Sequence, residues 1–143
     1  MADALQVVYW DTSAILSALF IDNHSEAARR WGAGPAVHLI SSLAHAEACA
    51  VTWRMARDGV VPESLAAATI NAIEQGIWRR INAVPDWTIV SGLAQRATLR
   101  GADLWHLGLA ATLQRDLPEL RMLTFDARLQ EAARREDLAI LRP

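Results

Sequence analysis

The chain contains no lysine: all 14 of its basic residues are arginine. A P-loop needs a lysine on the phosphates and imine chemistry needs a free amine, so neither belongs to this protein. Receiver domains and haloacid-dehalogenase-type phosphatases also set an aspartate at a strand end, but they use a lysine beside it and are disfavoured. Cysteine is almost as scarce. Cys49 stands alone, without a partner for an internal disulfide or a zinc pair, and its alanine-rich surroundings (AEACAV) suit a small buried hydrophobe. No apolar run reaches the roughly 20 residues that span a bilayer, and the N-terminus lacks a basic region followed by an apolar signal core. No membrane partner and a cytoplasmic location are expected. A formal charge of −2 offers nucleic acid no global attraction, so any such contact falls to local arginines such as Arg54 with Arg57, Arg79 with Arg80, or Arg96 with Arg100. For most of these a solvated helix face is the simpler reading.

What is present is an ordinary globular balance, 52% hydrophobic and 21% charged over 143 residues, with no low-complexity tract or Gly/Ser linker. One domain with a full core is expected. Short apolar runs alternate with helical patterns. Strands are expected at Leu5–Trp10, Val37–Ser41, Trp87–Val90, Met122–Phe125 and Ala139–Leu141. Helices are expected over Thr12–Phe20, from a capping box at Asn23 and Glu26 to about Trp31, and over Ser42–Asp58, which Gly59 closes. Further helices run from Pro62 to about Arg80 and over Gly92–Leu99, Asp103–Arg115 and Ala127–Arg135. This alternation implies βα units around a mostly parallel sheet of about four to five strands covered on both sides, an α/β/α sandwich. Ligands of such sheets bind beyond the carboxyl ends of the strands.

Three aspartates stand where an apolar run meets a helix. LQVVYWDTSAIL stops its run at Asp11, LTFDARL stops at Asp126, and RGADLWHLGLAATL opens a long apolar helix at Asp103. Each alone is explained as a helix cap, its side chain accepting from an orphan amide of the first turn. Glu47 is not, because it lies in mid-helix with Leu43, Ala44, Ala50 and Val51 on its face. A carboxylate there needs a partner; Arg54 and His45 are candidates, and a metal ion is the other. Four carboxylates at one sheet edge repel one another unless a cation offsets them. With no His/Cys ligand set in competition, Mg²⁺ or Mn²⁺ is the expected ion, and phosphodiester hydrolysis the chemistry such a site suits.

Taken together, DTSAIL from Asp11, SSLAHAEACA with Glu47, LRGADLWHLGLA with Asp103 and LTFDARLQEAARRE with Asp126 resemble, in order and spacing, the four motifs of the PIN-domain nucleases, and among them the VapC-type toxins of bacterial toxin–antitoxin pairs. The resemblance covers nearly the whole chain. It implies a Mg²⁺- or Mn²⁺-dependent endoribonuclease with Asp11, Glu47, Asp103 and Asp126 as both catalytic and metal-binding acids. It implies, too, an RNA substrate, a homodimer, and inhibition by a cognate antitoxin protein. By motif position, Asp11 and Asp103 bind metal directly, Asp126 completes the site or binds a second ion, and Glu47 holds or deprotonates a water. Thr12, Ser13 and Thr124 are expected either to orient these carboxylates or to serve as ordinary cap and turn residues. Arg100 contacts phosphate or pairs with an acid. For His106, packing or hydrogen bonding behind the site is the leading expectation and acid–base catalysis the other. Among the tryptophans, Trp10 and Trp105, beside acidic residues, are expected at the wall of the site or a partner surface, with Trp53 and Trp78 between helices.

Two other readings stay open. One is a PIN-like module of weak activity whose main task is binding RNA or a protein. The other is a nuclease of RNA maturation or of structured DNA.

Overall fold

Val7, Val8, Tyr9 and Trp10 are apolar on both faces of an extended chain, which suits a strand covered on both sides. In the computed structural model, which describes residues 5–140, this run is an inner strand, β1 (Gln6–Trp10), with four of its five residues buried. It pairs in parallel with β2 (Ala36–Ser41) on one side and β4 (Leu120–Leu123) on the other. Beyond β2 lies β3 (Trp78–Ile81), also parallel, giving the order β3-β2-β1-β4.

The helices are α1 (Thr12–Leu19), α2 (Ser25–Ala33), α3 (Ser42–Arg57), α4 (Glu63–Gln75), α5 (Trp87–Arg96), α6 (Gly101–Gln114) and α7 (Ala127–Arg135). The two-residue period of the strands divides the core between the two sheet faces. Val7, Tyr9, Leu39 and Met122 meet Leu93, Leu107 and Leu129 from α5, α6 and α7. On the opposite face Val8, Trp10, Ile40 and Leu123 meet Ile15, Ala28, Ala44 and Ile73 from α1 to α4. This is the expected α/β/α sandwich, with four strands among the described residues.

Four expectations about elements need correction. The run Trp87–Val90 is helix, the first turn of α5, because Asp86 caps it by accepting from the Thr88 and Ile89 amides. The strand lies instead at Trp78–Ile81, where a helix was expected to continue. Helix α4 stops at Gln75, and a Cβ at Gly76 would collide with the Ala72 carbonyl oxygen, so the chain turns there on a residue without a side chain. The box between Asn23 and Glu26 does not form. Helix α2 starts at Ser25, whose buried hydroxyl accepts from the Asp22 amide and donates to the Phe20 carbonyl. The last expected strand is reduced to a bridge from Ala139 to Met122; Leu141 lies outside the described residues.

Smaller shifts concern helix starts. Pro62 precedes α4 rather than opening it, and α6 begins at Gly101, with Arg100 at its N-cap position and Asp103 inside its first turn. Asp103 therefore caps nothing. Gly59, at φ +73°, ends α3 as expected.

Candidate functional site

Two of the four acids are helix caps. Asp11 leaves β1 and opens α1; its Oδ1 accepts from the Ala14 amide at 2.9 Å and from Ser13 Oγ at 2.8 Å. Its Oδ2 accepts from Thr124 Oγ1 at 2.6 Å. The residue is 3% exposed, and burial pushes its carboxyl above the ordinary aspartate range, against the pull of these three donors. Asp126, exposed, caps α7 by accepting from the Leu129 amide at 2.9 Å. Thr124 links the pair, because its oxygen also accepts from the Asp126 amide at 3.1 Å. One hydroxyl thus ties the carboxyl ends of β1 and β4 together.

Glu47 projects from α3, a helix that Ser41 caps by accepting from the Ala44 amide. Neither Arg54 nor His45 is its partner; His45 meets Arg80 instead. Thr12 Oγ1 donates to Glu47 Oε1 at 2.9 Å, and His106 Nε2 lies 3.1 Å from that same oxygen. The His106 contact, aided by Thr12, holds this carboxyl below the ordinary glutamate range. No donor meets Oε2 among the described residues.

His106 is buried on α6, and its Nδ1 lies 2.7 Å from the Tyr9 hydroxyl. Both ring nitrogens are engaged, which leaves neither for a metal. Tyr9 was not singled out by sequence reasoning, since a tyrosine in an apolar strand reads as core. Its phenol is pushed well above the ordinary tyrosine value, first by burial and then by the charges of Asp11 and Glu47.

Asp103, half-buried in the first turn of α6, is where the acids meet electrostatically. Burial first, then the charge of Asp126 and also that of Glu47, raises its carboxyl, while His106 and Arg100 oppose the rise. Arg100 is exposed and has no ion-pair partner among the described residues, in contrast to Arg96, which is bound to Glu136 at 3.0 Å. A half-buried carboxyl raised by neighbouring carboxylates is short of positive charge. Oxygen donors of this type suit Mg²⁺ or Mn²⁺, ions that retain waters and are often completed by substrate phosphate. Among the described residues no three His, Cys, Asp or Glu side chains close into a ready-made metal shell, so waters or substrate oxygens would fill most positions around an ion.

Trp10 does not form a wall of the site. It is fully buried, edge-on to Trp78 at 5.4 Å, and its indole N–H donates to His38 Nδ1 at 3.0 Å. Trp78 is a strand residue packed in that core rather than between helices. Trp105 is partly buried and stands edge-on to His106 at 5.5 Å. A cavity of about 590 Å³, lined by Trp31, Thr124 and Phe125 among others, includes none of the four acids. The charges of Asp126 and Glu47 act together on Asp103, away from that cavity's lining.

The profile of the PIN domain family matches residues 8–135. No curated protein matches the chain. Among solved structures, the chain is similar to VapC20 of Mycobacterium tuberculosis, a toxin that cleaves the sarcin–ricin loop, with a TM-score of 0.62 and 16% identity over 95% of this chain and 99% of that one. It is similar also to PAE2754 of Pyrobaculum aerophilum, with a TM-score of 0.66 and 20% identity over 98% of this chain and 91% of that one. At these identities the likeness is one of fold.

Proposed function

The chain belongs to the PIN domain family, and from that premise we propose that it is a Mg²⁺- or Mn²⁺-dependent endoribonuclease, the toxin of a toxin–antitoxin pair. The observation that carries the reading is the acidic edge itself: one Thr124 hydroxyl joins Asp11 to Asp126, and the half-buried Asp103 carboxyl beside them is raised by burial and by the charges of Asp126 and Glu47. Asp11 and Asp103 would hold the ion, with Asp126 and Glu47 completing the acidic edge. Bound there, a divalent cation supplies Lewis-acid activation of water and offsets charge on the phosphate and leaving oxygen.

The chain's own residues do the rest. Ser13, Thr124 and the Ala14 amide fix Asp11, and Thr12 and His106 fix Glu47 by one oxygen. Glu47, held ionised, is suited to accept a proton from water. Arg100 offers an exposed cation beside Asp103 for an RNA phosphate. A cytoplasmic setting, a homodimer and a protein antitoxin belong to the same proposal, supported by the fold shared with a VapC toxin.

The test is cleavage of folded RNA, single-stranded DNA and duplex DNA by the purified protein with Mn²⁺. Wild type should cut RNA and stop when EDTA is added, and Asp103→Asn should show no detectable cleavage. Equal cleavage by Asp103→Asn would reject the reading. One observation favours a second reading, a module that binds RNA or a protein with little turnover: the acids do not close into a three-ligand shell. Metal binding without cleavage of any nucleic acid would support it.

A further inference from the structure

Tyr9, the chain's one tyrosine, is fully buried in the core between the sheet and α6. A phenol placed there needs a polar partner, or its O–H is left unsatisfied. It has one in His106 Nδ1, at 2.7 Å. His106, 2% exposed, spans from that phenol to Glu47 Oε1, 3.1 Å from its Nε2. The protons in this chain have little freedom. An ionised Glu47 only accepts, so Nε2 carries a hydrogen; in the neutral imidazole Nδ1 is then bare, and the phenol O–H donates to it. A ring flip would set carbon atoms against both partners. Thr12 brings a second donor to the same Oε1, and together the two donors fix the carboxylate's rotation with Oε2 unengaged.

We propose that Tyr9 is a positioning residue of the acidic site: acting through His106, it holds Glu47 by Oε1 and leaves Oε2 for the reaction. The catalytic consequence rests on the nuclease reading above, whereas the hydrogen-bond chain does not. Removing the phenol O–H leaves Nδ1 a buried acceptor without a donor, and the imidazole then moves its hydrogen or turns.

The experiment records long-range ¹H–¹⁵N spectra of the metal-free wild type and Tyr9→Phe at one neutral pH, with RNA cleavage kinetics alongside. In the wild type His106 should show one state, protonated at Nε2 and bare at Nδ1. In Tyr9→Phe both nitrogen shifts should move toward the average of mixed tautomers, and kcat should fall about tenfold or more, the usual effect of losing a group that orients a ligand, while KM holds. His106→Asn, which breaks the link and keeps Tyr9, should lower kcat in the same way. Unchanged nitrogen shifts in Tyr9→Phe, or full kcat in either variant, would overturn the proposal. If the wild type itself neither cuts RNA nor takes up Mn²⁺, the nuclease reading fails, and the nitrogen shifts alone decide whether Tyr9 sets the His106–Glu47 contact.

Discussion

Thr124 Oγ1 stands between two aspartates that lie 115 positions apart in sequence, donating to Asp11 and accepting from the amide of Asp126. Its removal therefore has a stability signature apart from any effect on activity. Thr124→Val keeps the shape and deletes the donor, leaving a 3%-exposed carboxylate with one hydrogen bond fewer. A loss of about 1–3 kcal/mol is expected, the cost of a buried polar group left short of a partner, read from urea unfolding. A variant as stable as the wild type would show that Asp11 does not depend on this bond. At this scale sequence reading reached the caps and stopped at the partners. Asp11 and Asp126 were legible because an aspartate after an apolar run is a local signal. The contacts of Glu47 with Thr12 and His106 span 35 and 59 positions, and that of Tyr9 with His106 spans 97. No local pattern encodes them, so His45 and Arg54 looked the nearer partners.

Among the elements, α7 separates the two roles an aspartate can have at a helix start. Asp126 caps α7 through Leu129 and also raises the Asp103 carboxyl through its charge. Asparagine caps as well as aspartate does, but carries no charge. Asp126→Asn should thus unfold with the wild-type midpoint and bind Mn²⁺ more weakly, whereas Asp126→Ala should in addition lose about 1 kcal/mol of stability. Chemical denaturation and metal titration of the two variants check this; equal Mn²⁺ affinity in all three proteins would leave Asp126 a cap only. The same level holds the clearest misreading of the sequence. Trp87–Val90 carries the β-branched signature of a strand, yet Pro85 and Asp86 start a helix there. Trp78–Ile81 carries two exposed arginines and shows no apolar run, but it is an edge strand, where charged side chains are tolerated because one side faces solvent. Local propensity lost in both cases, to a helix cap at Asp86 in the first and to position in the sheet in the second.

At the scale of the molecule, the parallel sheet brings distant residues to one edge. Asp11 arrives from the end of β1, Asp126 from beyond β4, Glu47 from α3 after β2, and Asp103 from the start of α6. The alternation of apolar runs and helices made this architecture legible in advance, since parallel strands joined by helices align their carboxyl ends. Whether that edge serves as a metal site is the central claim, and calorimetric titration of Mn²⁺ into the purified protein, with Asp103→Asn alongside, tests it most directly. The account predicts heat of binding in the wild type that is lost or strongly weakened in Asp103→Asn. Equal binding by both proteins, or none by either, would contradict it.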